Sequence, residues 1–200
     1  MGNREDLLAA AKQCLLDRGY SRTSVRDIAT AAGVSMAAIG YHFGSKEALL
    51  NAAFMEAMAD WAADLRTAAA VDPRLPPAER FEAIWGQLIH TFDRHRRIAA
   101  VSLEMYAQVG QLSRGREELA RMLHDARLGL GALFGGFDPQ RDEERAWLVG
   151  SLYHALMSGV FLQWLTDPAD ALSAKDLTAA LRLALGGDPD GPAVPGLPPT

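Results

Sequence analysis

Apolar residues along this 200-residue chain recur at three- and four-residue spacing, and no stretch sustains the two-residue alternation of a strand. Ala and Leu dominate and β-branched residues are sparse, so nearly every segment reads as helix. A first helix is expected from Glu5 to Arg18, with Leu8, Ala11 and Leu15 on one face and Gly19 as its stop. Ser24 caps a second, short helix ending near Ala32, and Asp27 completes a capping box. Gly33 supplies the left-handed residue of a tight turn. Ser35 caps a third helix reaching Phe43, Gly44 breaks it, and Ser45 caps a fourth that runs toward Ala70. Three prolines between Val71 and Pro77 mark a connector. Further helices are expected at about 78–95, 97–109, 114–134, 140–166 and 173–185. The predicted fold class is all-α, with a three-helix head over 1–46 and a larger helical body over 47–186. The Gly- and Pro-rich tail, 187–200, is expected to be disordered.

Composition adds exclusions. Hydrophobic residues make up 49% and charged residues 22% of the chain, a balance incompatible with disorder throughout. A single cysteine, Cys14, excludes an intramolecular disulfide and a cysteine-based zinc site. The polar start from Met1 to Leu8 argues against a secretory signal, which makes the cytoplasm the default compartment. The net charge of −5 is unevenly spread: six bases face four acids through Lys46, a balance of +2, and the remainder carries −7. A basic head on an acidic body directs any polyanion to the head.

Within the head, two short helices meet around Gly33-Val34, the layout of a helix-turn-helix. Val25, Ile28, Ala29, Val34, Ile39 and Phe43 supply its apolar positions, together with Leu8 and Leu15. The other face of the third helix is small and polar, which suits entry into a DNA major groove.

The runs Gly19-Tyr20, Thr23-Ser24-Val25-Arg26-Asp27-Ile28-Ala29, Ala32-Gly33-Val34-Ser35 and Tyr41-His42-Phe43-Gly44-Ser45-Lys46-Glu47-Ala48-Leu49-Leu50 together resemble the TetR (tetracycline-repressor-like) family of bacterial one-component regulators. The resemblance covers about the first quarter of the chain. The chain departs from the family pattern at Gly40, where an aromatic is frequent, and at Ala37-Ala38, where a polar pair is frequent. The resemblance implies a ligand-responsive transcriptional regulator, a repressor. It would bind a pseudo-palindromic double-stranded DNA operator as a homodimer and be released by a small-molecule effector. The two recognition helices would then lie about 34–36 Å apart, in successive major grooves.

Side-chain chemistry distributes the contacts. Ser24 and the amides at its helix start suit a phosphate. Arg26 suits a phosphate or a guanine edge. Ser35, Met36, Ala37 and Ala38 open the recognition helix, where Met36 and the alanines offer apolar contact to thymine methyls. Tyr41, His42 and Lys46 are placed for phosphates. Taken singly, each residue has a bland alternative: Ser24 caps its helix, Arg26 is solvated, Tyr41 or His42 packs on the first helix. Their joint spacing favours DNA.

In the body, Phe81, Ile84, Trp85, Leu88 and Phe92 form a helical stripe, for which core packing is the simplest reading. The resemblance implies that the body also houses a small, mainly apolar effector. Trp61, Trp85, Leu88, Phe92, Met105 and Met122 are candidates for its lining, and Glu104, Gln108, His124 and Tyr153 for its polar anchors. Glu104 keeps two readings, recognition of a cationic ligand or an ion pair with Arg121 or Arg97.

Trp147 to Leu165 runs 19 residues without a charge, long enough for a membrane span. Internal Ser151, His154, Ser158 and Gln163 and acidic flanks argue against one. A helix apolar on all sides needs cover on all sides, which a second subunit supplies. Ser151, Ala155 and Gly159, with Trp147 and Leu162 beside them and Leu177 and Leu181 on the last helix, are the candidate interface. The resemblance implies a two-fold four-helix arrangement there. The expected partners are therefore DNA, an effector and a second copy, with no membrane.

No catalytic residue, cofactor or metal site is expected. Gly129, Gly131 and Gly135 lack the strand that a nucleotide loop needs and read as a loosened helix end with close packing. His90 and His95 are five residues apart, whereas a zinc helix spaces them by four. His95-Arg96-Arg97 reads as a solvated basic corner. Two rivals remain: a small all-helical enzyme, which would turn over substrate without DNA, and a membrane-attached helical protein, which would need detergent.

Overall fold

The computed structural model describes residues 3–72, 74–108 and 116–188, with only the backbone at Tyr106, Gln108, Arg116 and Glu118. Eight helices and no strand occur among the described residues, in agreement with the all-α expectation. They are α1 (Asn3–Arg18), α2 (Val25–Ala32), α3 (Ala37–Phe43), α4 (Lys46–Ala68), α5 (Pro77–Gln108), α6 (Arg116–Gly135), α7 (Glu143–Thr166) and α8 (Ala174–Ala184). All but the first two positions of the expected disordered tail lie outside the described residues.

Two expectations about helices need correction. The helices predicted at 78–95 and 97–109 are one continuous α5. No Gly or Pro follows Gly86 within it, so nothing interrupts the hydrogen-bond ladder. The His95-Arg96-Arg97 triplet is accordingly not a solvated corner. His95 is buried, its Nε2 lies 2.9 Å from Asp64 Oδ2, and its ring stacks on Trp61. Arg97 Nη1 donates to Asp17 Oδ1 at 2.6 Å. The second correction concerns Ser35, whose hydroxyl makes no cap. α3 starts at Ala37 behind an αR-conformed Met36, and the Ser35 carbonyl accepts the Ala38 N–H. Ser45 does cap α4, accepting the Ala48 N–H at 3.0 Å.

The helices form two compact units, and α4 and α5 run through both. The first contains the residues up to Asp64 and the stretch from Arg94. Its core is Leu7, Ala11, Leu15, Ile28, Leu49 and Leu50, all fully buried. Leu7 occupies the central place expected of Leu8, which is half-buried, because the inward face of α1 runs through 7, 11, 14 and 15. Lys12 ties α1 to α4 through Glu56 (3.1 Å) and Asp60 (2.6 Å), and the Tyr20 hydroxyl donates to Asn51.

The second unit contains Leu65–Asp93 and the described residues from 116 onward. Its tightest contact is between α6 and α7. A Cβ at Gly131 would overlap the Ala146 carbonyl oxygen, and one at Gly150 would overlap that of Arg127. The two backbones therefore touch with no side chain between them. The expected close packing holds at Gly131 and at Gly135, which abuts the Phe137 ring, whereas Gly129 faces open space. Trp85, Leu88 and Phe92 are fully buried. Phe81, Trp85, Tyr153 and Phe134 make one aromatic cluster, and Phe92, Phe161 and Trp164 a second.

Candidate nucleic-acid interface

The helix-turn-helix is built from local chemistry. The Ser24 hydroxyl accepts the Asp27 N–H (3.2 Å) and donates to Asp27 Oδ2 (2.6 Å), and the Ser24 N–H returns a bond to the same oxygen. Hydrogen bonds from Ser24, then the nearby Arg18 guanidinium, hold the Asp27 carboxyl below its usual range. At the other end of α2, Gly33 sits at φ +68° and Val34 N–H reaches back to the Ala29 carbonyl. That left-handed residue turns the chain into α3, where any side chain would be strained.

α3 is anchored by Ile39, 2% exposed. Its outward face carries Met36 (53% exposed), Ala37, Gly40 and Tyr41 (86% exposed). Ala38 and His42 are half-buried, and the His42 ring meets Tyr41 edge-on. Tyr41 therefore points to solvent and does not pack on α1. Arg26 is exposed and makes no ion pair among the described residues. Ser24 is exposed, with its hydroxyl engaged in the capping box. Lys46 is half-buried, and its Nζ donates to the Thr23 carbonyl at 3.3 Å. Ser35 is exposed beside Met36. One neighbour escaped the sequence reading: the Arg4 guanidinium lies 5.0 Å from the centre of the Phe43 ring at the end of α3. Their 39-residue separation leaves no local signal for that contact.

A Cβ added at Gly40 would meet nothing within 4 Å. No intramolecular packing requires the glycine, and a helix-interior glycine costs about 1 kcal/mol relative to Ala. Gly40→Ala should raise thermal stability by roughly that amount, read by denaturant unfolding. A destabilised variant would mean that α3 is not a regular helix at this position.

The residues expected around an effector do not all fall in one unit. Trp61, Glu104 and Met105 belong to the first, and Trp85, Leu88, Phe92, Met122, His124 and Tyr153 to the second; the side chain of Gln108 lies outside the described residues. His124 faces Glu143 at 3.6 Å. Glu104 meets two backbone amides. Its Oε2 accepts the Tyr20 N–H and its Oε1 the Ser21 N–H, each at 2.9 Å. Burial works against the charge, but the bonds from Ser21 and Tyr20 and the nearby Arg22 outweigh it, so the carboxyl lies below its usual range.

Of the residues expected at a subunit interface, Trp147, Ala155, Gly159 and Leu162 are exposed on α7. Ser151 and Leu181 are half-buried. Leu177 is 6% exposed and belongs to its own chain's core, because α8 turns that face inward. The exposed apolar seam instead runs Leu148, Leu152, Ala155, Gly159 and Leu162, with Leu183 and Leu185 exposed at the end of α8. Its four-three spacing differs from the four-residue repeat of Ser151, Ala155 and Gly159. α7 is also the one described helix long and apolar enough to cross a membrane, with 22% of that stretch buried.

Residues 7–53, which hold most of α1, then α2, α3 and the start of α4, match the family model for bacterial regulatory proteins, tetR family. The chain is similar to the HTH-type transcriptional repressor DhaR of Mycobacterium sp. (strain GP1), 32% identical over 90 residues, 45% of each chain. The matched stretch thus spans less than half of that curated relative. A solved transcriptional regulator from Rhodococcus sp. Rha1 is 26% identical with a TM-score of 0.60, over 92% of this chain and 94% of that one. A tetR-family transcriptional regulator from Streptomyces coelicolor shares the fold at 22% identity and a TM-score of 0.60, over 92% of this chain and 83% of the other. Motif, helix order and likeness converge on the head: residues 7–53 are a helix-turn-helix segment of the kind found in bacterial regulatory proteins of the tetR family.

Proposed function

We propose that the protein is a cytoplasmic repressor that binds a pseudo-palindromic operator as a homodimer and leaves it when a small, mainly apolar effector occupies the helical body. The observation that carries the DNA contact is the uncovered outer face of α3. Met36, Ala37, Gly40 and Tyr41 are all exposed there. Small residues at the opening of the helix let its backbone approach base edges, and Met36 suits thymine methyls. Tyr41, His42, Lys46, Arg26 and the start of α2 at Ser24 address phosphates. Arg4 joins that set because it sits against the end of the same helix.

The seam on α7 supports the dimer. Its leucines flank Ala155 and Gly159, whose small side chains let two helices approach closely. The acidic flank of Asp142, Glu143 and Glu144 favours a second subunit over a lipid surface. The aromatic cluster around Trp85 and Tyr153 supports an effector of apolar character.

A gel shift and footprint on the DNA flanking its own gene, followed by a small-molecule screen for release, tests the reading. Protection of a palindrome is expected; a strictly monomeric protein, or one with no preference for any duplex at low salt, overturns it. On that operator, Lys46→Ala and Tyr41→Phe should each weaken binding by about 1 kcal/mol, the loss of one hydrogen bond. Lys46→Ala should also reduce the salt slope by about 0.9 per subunit. Unchanged affinity and slope in both variants would remove these residues from the interface.

A further inference from the structure

We infer that Glu104 is a positioning residue of the DNA-binding head, tying the α1–α2 turn to α5 so that the tilt of the helix-turn-helix follows that helix. Glu104 lies in the first unit, on the stretch of α5 from Arg94, and its role rests on the operator-binding reading. The tie is built as an anion nest. Gly19 adopts φ +86°, and the next two amides, of Tyr20 and Ser21, converge on one carboxylate. A Cβ at Gly19 would lie 2.8 Å from Glu104 Oε2, so the glycine is needed for the backbone conformation and for the room the carboxylate occupies.

From the nest the connection continues inward. The Thr23 hydroxyl, buried, bonds the Gly19 carbonyl at 2.7 Å, and the Thr23 carbonyl accepts Lys46 Nζ. Ser24, the next residue, caps α2. The turn that receives Glu104 is thus stiffened by its own bonds and leads directly into α2. Arg97, two turns earlier on α5, holds Asp17 of α1 at 2.6 Å, a second point on the same line. α5 carries both anchors within the first unit. A carboxylate bonded to two backbone amides fixes direction as well as distance, which a flexible surface ion pair does not.

The test uses the full-length protein and a duplex selected by the wild type from a randomised pool. Three probes are compared: the selected duplex, the same duplex with two base pairs inserted between half-sites, and a single half-site. The wild type should prefer the selected spacing by about tenfold or more, because insertion breaks the match to groove pitch. Glu104→Gln should lose most of that preference while holding half-site affinity within about twofold, since freed heads still present α3. Glu104→Asp, which keeps the charge on a shorter arm, should restore part of it.

Spacing preference retained in Glu104→Gln overturns the inference and leaves the operator reading standing. Half-site affinity falling in parallel with thermal stability also overturns it, by making Glu104 a fold residue only. Failure of the wild type to select any palindrome would instead overturn the operator reading itself.

Discussion

Gly150→Ala should lower the stability of the protein by about 3 kcal/mol or more, the upper end of what overpacking does. The reason lies in what the new methyl group meets. At most helix crossings an added Cβ displaces the tip of a side chain, which swings aside. At Gly150 it would overlap the Arg127 carbonyl oxygen and crowd the Gly131 nitrogen. Neither can move without shifting α6 as a whole. For a chain of this size the thermal midpoint should fall by roughly 6–12 °C. Gly129→Ala on α6 is the internal control. Its Cβ meets nothing within 4 Å, so it should stabilise by up to about 1 kcal/mol through helix propensity. Opposite signs at two glycines are expected from calorimetry or denaturant melts; a midpoint unchanged in Gly150→Ala would mean that α6 and α7 do not cross as described.

Ala37→Glu should reduce operator affinity by about 100-fold, close to 2.7 kcal/mol, and leave the fold intact or slightly firmer. Ala37 is exposed and is the first residue of α3. A carboxylate there favours the helix, because the N-terminal end carries partial positive charge worth about 0.3–1 kcal/mol. The same carboxylate would enter the groove between two rows of phosphates. Folding and binding are thus pushed in opposite directions by one substitution, which separates loss of the site from loss of the protein. Ala37→Lys should instead strengthen binding to unrelated duplexes and steepen the salt dependence by about 0.9 per subunit. Titration by fluorescence anisotropy at three salt concentrations reads both variants, with the melting curve beside them. Wild-type affinity in Ala37→Glu would place α3 outside the groove.

What was legible in the chain was local. The capping box at Ser24 and Asp27, the left-handed Gly33 and the Ser45 cap each depend on residues within four positions, and each is present. The partners of Glu104 and Arg97 were not legible. They lie 84 and 80 positions away, and no periodicity marks such a pair. Glu104 stands out because it interrupts an apolar run; it is half-buried, and the Tyr20 and Ser21 backbone amides it meets leave no trace in residue types. His95-Arg96-Arg97 misled for a related reason. Three polar residues in a row look like a boundary, yet a helix spreads them over different faces, one of which turns inward to Asp64 and Trp61. On α7 the four-residue spacing of Ser151, Ala155 and Gly159 with Leu162 leaves out Leu148 and Leu152, because the exposed seam follows a seven-residue period.

Within the first unit the unbroken ladder of α5 sets His95 and Glu104 roughly 13.5 Å apart at 1.5 Å per residue. The contact with Asp64 on α4 and the hold on the α1–α2 turn are thus kept at one fixed spacing. A helix broken at 95–97 would have let each of them settle independently.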